Sequence, residues 1–331
     1  MTVLNTFLRH ARAATIASAA TLAALGATGA HADQVTLRAV NAFQEGTYPA
    51  KNFEAWVKKV NADGKGLVQI NYIGGPKAIP TFEQGNALRS GVVDVSNNTV
   101  AYLTGIVPEA NALVYTKMSM AELRKNGTID FMNRLLTEKG IYLYARSTEG
   151  FQHYLYTNKK IDSLDLAGYK VRISPMHKDM FQALNASVVQ IPAGEVYTAL
   201  ERGVVDGYAW PLFGLTDLGW QEKTKYRVEP GFYTVEVSVY FSTKAWNKLT
   251  PEQKAFLQKE GEWLEQLNLQ VAKEDTPKEE KIQKDAGVQV LQLDPATAAK
   301  LQKVAYDAAW DGIVKQSPVN GQKLRDMIAP K

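Results

Sequence analysis

The pattern Ala-Leu-x-x-Gly-Val-Val-Asp occurs twice in this chain, at Ala87–Asp94 and again at Ala199–Asp206. In the second copy Val196, Ala199 and Leu200 fall at i, i+3 and i+4, the spacing of one buried helix face. The glycine ends that helix as a C′ residue, and the chain turns into an apolar run that reads as a strand. One reading is that any helix–glycine–strand junction takes this form. The other is a chain of two lobes built on one plan. The echo occurs only twice, which excludes a short-repeat solenoid.

The second copy sits inside the stretch Val171–Pro211, around which the rest is arranged. Tyr169–Ile173 reads as a strand carrying Arg172, Met176–Leu184 as an amphipathic segment and Val188–Ile191 as a strand closed by Pro192. Glu195–Arg202 reads as a helix and Val204–Trp210 as a strand ended by Pro211, giving a lobe with a mainly parallel sheet. Upstream, Val35–Ala39, Tyr48–Val60 and Leu67–Ile73 have the spacing of a βαβ unit, with a polar loop from Asn41 to Gly46 after the first strand. Strands at Tyr142–Ala145 and Gln152–Thr157 flank Ser147–Gly150, a crossing between lobes, and Val235–Ser242 carries the chain back. Thr250, Pro251 and Gln253 form a helix start. The Lys- and Glu-rich run from Pro251 to about Asp285 then reads as one long strut, despite Gly261 and Pro277. The lobes are expected at 33–150 plus about 243–280, and at 151–242 plus about 281–331.

The first 32 residues stand apart. Arg9 and Arg12 precede an apolar run from Ala13 to Ala27, and Ala30-His31-Ala32 fits a cleavage site. This is the pattern of a secretory leader cut after about Ala32, so the mature chain is expected to be exported. Two arginines and no acidic residue leave with it, so the mature chain is nearer neutrality than the formal charge of +4. Nucleic acid is not an expected partner. The absence of cysteine rules out disulfides, cysteine–metal sites and thiol catalysis.

Beyond the leader, His153 and His177 are the remaining histidines, without H-E-x-x-H or carboxylate–histidine spacing, so no metal is expected. G-x-S-x-G, G-x-G-x-x-G and Walker A patterns are also missing, so no nucleotide cofactor or serine-hydrolase elbow is indicated. The residue that calls for explanation is Arg172, an arginine between Val171 and Ile173 on a core strand. Either an internal Asp or Glu neutralises it, or it stands at the strand end to receive a carboxylate in a two-pronged hydrogen bond. Arg146 is similar, with a route to solvent as its alternative. Aromatic residues gather nearby at Tyr102, Tyr208, Trp210, Phe213, Phe232 and Tyr233. Packing accounts for most of them, and Trp210, at a strand end before proline, is the ligand-side candidate.

The segments Gly168-Tyr-Lys-Val-Arg172, Glu195-Val-Tyr-Thr-Ala-Leu200 and Gly203-Val-Val-Asp-Gly207 with Pro211 carry a family resemblance. So does the series Gly74-Gly-Pro76, Phe82-Glu-Gln84, Gly91-Val-Val-Asp94, Tyr102 and Val107-Pro-Glu-Ala110. Over essentially the whole mature length, the chain resembles the DctP-type extracytoplasmic solute-binding proteins of TRAP transporters. The resemblance implies an α/β, two-lobed periplasmic-binding-protein-like fold with a long helix spanning both lobes. It implies a receptor rather than an enzyme, closing on a small organic acid and docking on the transporter's membrane subunits. The family's carboxylate-binding arginine falls on Arg172, and a second basic position falls near His153. The family's asparagine in D-G-x-x-N-P is replaced by Trp210. That exchange favours a monocarboxylate with an apolar or aromatic body, such as a hydroxy, keto or aromatic acid. Asn41, Gln44, Asn97 and Glu195 are the further candidate contacts, with Tyr208 beside Trp210 covering the ligand. A binding protein of an ABC-type importer and a secreted hydrolase are the alternative readings.

Overall fold

The computed structural model describes residues 33–330, so the leader expected over residues 1–32 lies outside them. In chain order the strands are β1 (Val35–Asn41), β2 (Val68–Tyr72), β3 (Val95–Asn98), β4 (Ile141–Thr148), β5 (Gln152–Thr157) and β6 (Lys170–Ile173). They continue as β7 (Ser187–Gln190), β8 (Gly207–Pro211), β9 (Tyr226–Thr234), β10 (Val237–Ser242) and β11 (Gln289–Gln292). One sheet has the order β2-β1-β3-β10-β4 and the other β11-β9-β5-β8-β6-β7.

The two copies of the repeated pattern make the same set of bonds, one in each lobe. Gly91 and Gly203 take φ of +79° and +66°, the left-handed region that glycine enters without a Cβ penalty. The next N–H turns back onto the helix, Val92 to Ala87 O and Val204 to Ala199 O, both at 2.9 Å. That valine is exposed, while the following one, Val93 or Val205, is fully buried. The aspartate then clamps the neighbouring parallel strand through backbone and side chain together. Asp94 N donates to Arg38 O at 2.8 Å and its carboxylate accepts Arg38 N at 2.8 Å. Asp206 N donates to Lys170 O at 2.7 Å and its carboxylate accepts Lys170 N at 2.9 Å. Two lobes on one plan is the reading these bonds support.

Two expectations need correction and one holds. The strand expected from Val204 begins at Gly207, because Val204–Asp206 is consumed by the turn and the clamp. The second sheet is mainly parallel as expected, with β6–β7, β6–β8 and β9–β11 paired parallel, while β5 runs antiparallel to both β8 and β9. Finally, β10 lies between β3 and β4 of the first sheet, so the chain returns at Val235–Glu236 rather than after residue 242.

The lobes are joined by the β4–β5 crossing, the β9–β10 crossing and a helix that runs unbroken over Pro251–Asp285. Thr250 and Gln253 form a reciprocal capping box at its start, as the sequence indicated. Its buried stripe includes Leu257, Gly261, Leu264, Asn268, Ala272, Glu279 and Gln283. At one end Tyr144 donates from its hydroxyl to Leu257 O; at the other Gln283 donates to Leu212 O at 2.6 Å. In the middle, Asn268 accepts the N–H of Glu149 at 3.1 Å, at the β4–β5 crossing itself. Gly261 is needed for contact: a Cβ there would meet the Tyr144 ring at 2.9 Å.

Candidate ligand-binding site

Between the sheets lies a cavity of about 40 Å³, space for a few water-sized groups. Its walls come from both lobes. Phe43, Tyr48, Tyr102 and Thr148 belong to the first; Phe151, His153, Ser174, Trp210 and Phe213 to the second. The Tyr48 ring stacks on Phe213 with centroids 4.0 Å apart, and Phe151 meets Phe213 edge-on at 4.7 Å.

Arg172 is fully buried on β6 and is not itself a lining side chain; it lies against Trp210, its guanidinium carbon 5.2 Å from that ring. Backbone carbonyls fix the fork: Nε donates to Ile191 O at 2.8 Å and Nη1 to Ala209 O at 3.4 Å. Nη2 is buried and has no hydrogen-bond partner in the chain. Burial holds the pKa below the ordinary arginine value, partly offset by the neighbouring Tyr102 phenol. The guanidinium remains a cation at neutral pH.

Arg146 provides the contrast. It is equally buried, but Glu149 lies 3.2 Å away and Glu236 at 3.9 Å. Glu236 in turn accepts the N–H of Val100 at 2.8 Å and the hydroxyls of Tyr240 and Ser238. Arg146 is therefore a neutralised tie between the two strand crossings, neither reaching solvent nor free to hold a ligand. Arg227, on β9, has Glu229 at 2.6 Å. Among the described residues, Arg172 is the buried arginine without a carboxylate in ion-pair range. The internal-carboxylate alternative for it is thereby removed. A buried unpaired charge costs several kcal/mol, and a carboxylate arriving from outside would relieve that cost.

His153 lines the cavity as a neutral base. Burial, reinforced by the charge of Arg172, pulls its pKa down to about 3, although a bond to Tyr233 O at 3.5 Å opposes the shift. His177 packs against it with ring centroids 5.0 Å apart and is likewise held well below the ordinary value, by burial first and then by His153 and Arg172. The N–H of Ser174 donates to His177 Nδ1 at 3.2 Å, which leaves the ring proton on a buried, unpartnered Nε2. The basic position expected near His153 therefore carries no second positive charge.

The other expected residues divide. Trp210 lines the cavity, and its buried Nε1 has no partner. Tyr208 does not join it: its ring stacks on Tyr156 at 5.1 Å and its hydroxyl meets Thr224 Oγ1 at 2.7 Å, one layer deeper in the lobe. Asn41 and Asn97 pair with each other at 3.1 Å, and Asn97 also bonds Pro49 O and the Ser147 hydroxyl. They brace the strand ends behind the cavity rather than line it. Gln44 and Glu195 face an outer groove of about 520 Å³, which shares Phe43, Pro49 and Trp210 with the inner cavity. Tyr48, Thr148, Phe151, Ser174, His177 and Glu236 were not anticipated. No cluster of metal-ligating side chains occurs among the described residues.

The family model for bacterial extracellular solute-binding proteins, family 7 (DctP), matches residues 40–316. A solute-binding protein of Albidiferax ferrireducens is 26% identical over 269 residues, 78% of this chain and 79% of that one. An extracytoplasmic solute receptor of Bordetella pertussis that binds pyroglutamic acid has a TM-score of 0.79 at 21% identity, covering 88% of this chain and 99% of that chain. A TRAP periplasmic solute-binding protein from Desulfovibrio salexigens, with bound orotic acid, gives 0.79 at 21% identity, over 88% and 96%. The two-lobed α/β fold is common to these structures, and the matched family is one of receptors rather than enzymes, which removes the hydrolase alternative. The chain belongs to the bacterial extracellular solute-binding proteins of family 7, the DctP receptors of TRAP transport.

Proposed function

We propose that this protein captures a small organic monocarboxylate, a hydroxy, keto or aromatic acid, and delivers it to the membrane subunits of a TRAP transporter. The observation that carries this reading is Arg172, buried beside the cavity wall with no internal carboxylate and an unpartnered Nη2. A carboxylate bonded to that fork would neutralise it. One uncompensated cation argues for one carboxylate: Arg146 is already paired with Glu149 and Glu236, and His153 is neutral. Pyroglutamic and orotic acids, held by the two structural relatives, are ring-bodied monocarboxylates and support the same class.

On this reading the leader over residues 1–32 directs export and is removed after about Ala32. With the lobes apart, Arg172 takes the carboxylate and the aromatic wall of Trp210, Phe151 and Phe213 closes over the body. Closure removes water and strengthens the ion pair. Binding shifts an open–closed equilibrium that the membrane subunits read. Micromolar affinity corresponds to about −8 kcal/mol, within reach of one bidentate pair plus an enclosed apolar body. A thermal-shift screen over mono- and dicarboxylates tests the reading. A stabilising hit at 100 times its Kd adds about 2.7 kcal/mol, and hits confined to sugars, amines or dicarboxylates would contradict it.

A further inference from the structure

We propose that the ligand carries a second, uncharged oxygen away from its carboxylate, and that Tyr48 and Thr148 are the residues that bind it. The inference rests on the monocarboxylate reading and narrows its substrate class. Tyr48 opens the helix Tyr48–Asp63 and Thr148 ends β4, so both belong to the lobe opposite Arg172. Both line the cavity, and both hydroxyls are buried without a hydrogen-bond partner in the chain. An orphaned buried hydroxyl costs free energy. Two orphans on one cavity wall therefore mark an uncompleted polar subsite.

The chemistry of that subsite follows from its neighbours. A hydroxyl donates to a carbonyl or hydroxyl oxygen and also accepts from a hydroxyl. Glu236 lines the same cavity, and the cation beside it, Arg146, is already shared with Glu149. No uncompensated cation remains on this side for a second carboxylate. Burial drives the Tyr48 phenol well above its ordinary pKa, so it stays protonated and able to donate. The lobes thus divide the ligand: the acid end to Arg172, the neutral oxygen to Tyr48 and Thr148. An acid that offers only the first end leaves the first lobe's hydroxyls unsatisfied on closure.

Calorimetry on the full mature chain tests this with acids matched in shape: 4-oxopentanoate, pentanoate and glutarate; 3-hydroxybutyrate and butyrate; 4-hydroxybenzoate and benzoate. In at least one series, the oxygen-bearing monocarboxylate should bind roughly tenfold tighter than its partner, the scale of one or two neutral hydrogen bonds. Glutarate should bind more weakly than 4-oxopentanoate. Tyr48→Phe and Thr148→Val should each bring that ratio down to about one to threefold. Neither should lower the melting temperature of the ligand-free protein, because each removes a hydroxyl that makes no internal bond; a structural role would show as a lower one. If the variants keep the full ratio, or if the unmodified protein binds each pair equally, the inference fails while the monocarboxylate reading stands. If the unmodified protein binds none of these acids, the reading and the inference fall together.

Discussion

The carboxylate of Asp217 accepts the backbone N–H of Tyr48 at 2.6 Å, tying the loop after β8 in the second lobe to the first helix of the other. Lys51, one turn along the same helix, lies 3.9 Å from the same side chain. A carboxylate on a helix N-terminus is favoured by the unsatisfied N–H groups there. The bond therefore spans the two lobes.

Asp217→Asn should therefore loosen the closed form without touching Arg172. Affinity for the best acid should fall about fivefold to tenfold, the scale of one charge-assisted bond. The loss should appear mainly in the dissociation rate by stopped flow. An unchanged rate would place the bond outside the closing step.

Arg146→Met should cost about 3–5 kcal/mol of stability in urea denaturation, because it leaves Glu236 and Glu149 without their cation. A cost below about 1 kcal/mol would mean that the two carboxylates are stabilised by other partners. Replacing both glutamates by Gln together with Arg146→Met should recover part of the loss.

Stability should fall as pH drops below about 6.5. An unfolded histidine takes up its proton near that pH, whereas folded His153 is held neutral down to about 3 by burial. Between those values the unfolded state binds more protons, so acid favours unfolding. Each such imidazole contributes up to about 1.4 kcal/mol per pH unit. His177, also held below its ordinary value, adds in the same direction. Denaturation midpoints at pH 7 and pH 5 measure this, and His153→Gln or His177→Gln should flatten the slope.

Gly261→Ala should destabilise the protein even though alanine is the better helix former by about 1 kcal/mol. Its Cβ would lie 2.9 Å from the Tyr144 ring, which the helix holds through Leu257 O. A net loss of about 1–3 kcal/mol is expected, read by urea denaturation. A gain would mean that the ring shifts freely.

Much of this architecture could be read locally. Arg172 is marked by its apolar neighbours, and the repeated Gly-Val-Val-Asp by identical spacing in both lobes, because strand and helix periods act over a few residues. Depth and partnership are another matter. Tyr208 and Trp210 share one face of β8, yet one faces the cavity and the other packs on Tyr156; strand alternation gives the side of a sheet, not the distance along it. Asn41 and Asn97 are opposite each other in the β1–β3 register, where Asn97 Nδ2 donates to Asn41 Oδ1, a pairing set by residues far apart in the chain. Arg146 has one partner three residues on and the other, Glu236, on the next crossing. Tyr48 and Thr148 look like an ordinary helix start and strand end until the lobes close.

The most direct measurement is calorimetric titration of Arg172→Lys and Arg172→Met with the tightest acid found for the unmodified protein. Loss of the fork should weaken binding at least about a hundredfold in the lysine variant and abolish it in the methionine variant, with both still folded by circular dichroism. Micromolar binding retained by a folded Arg172→Met protein would contradict the account.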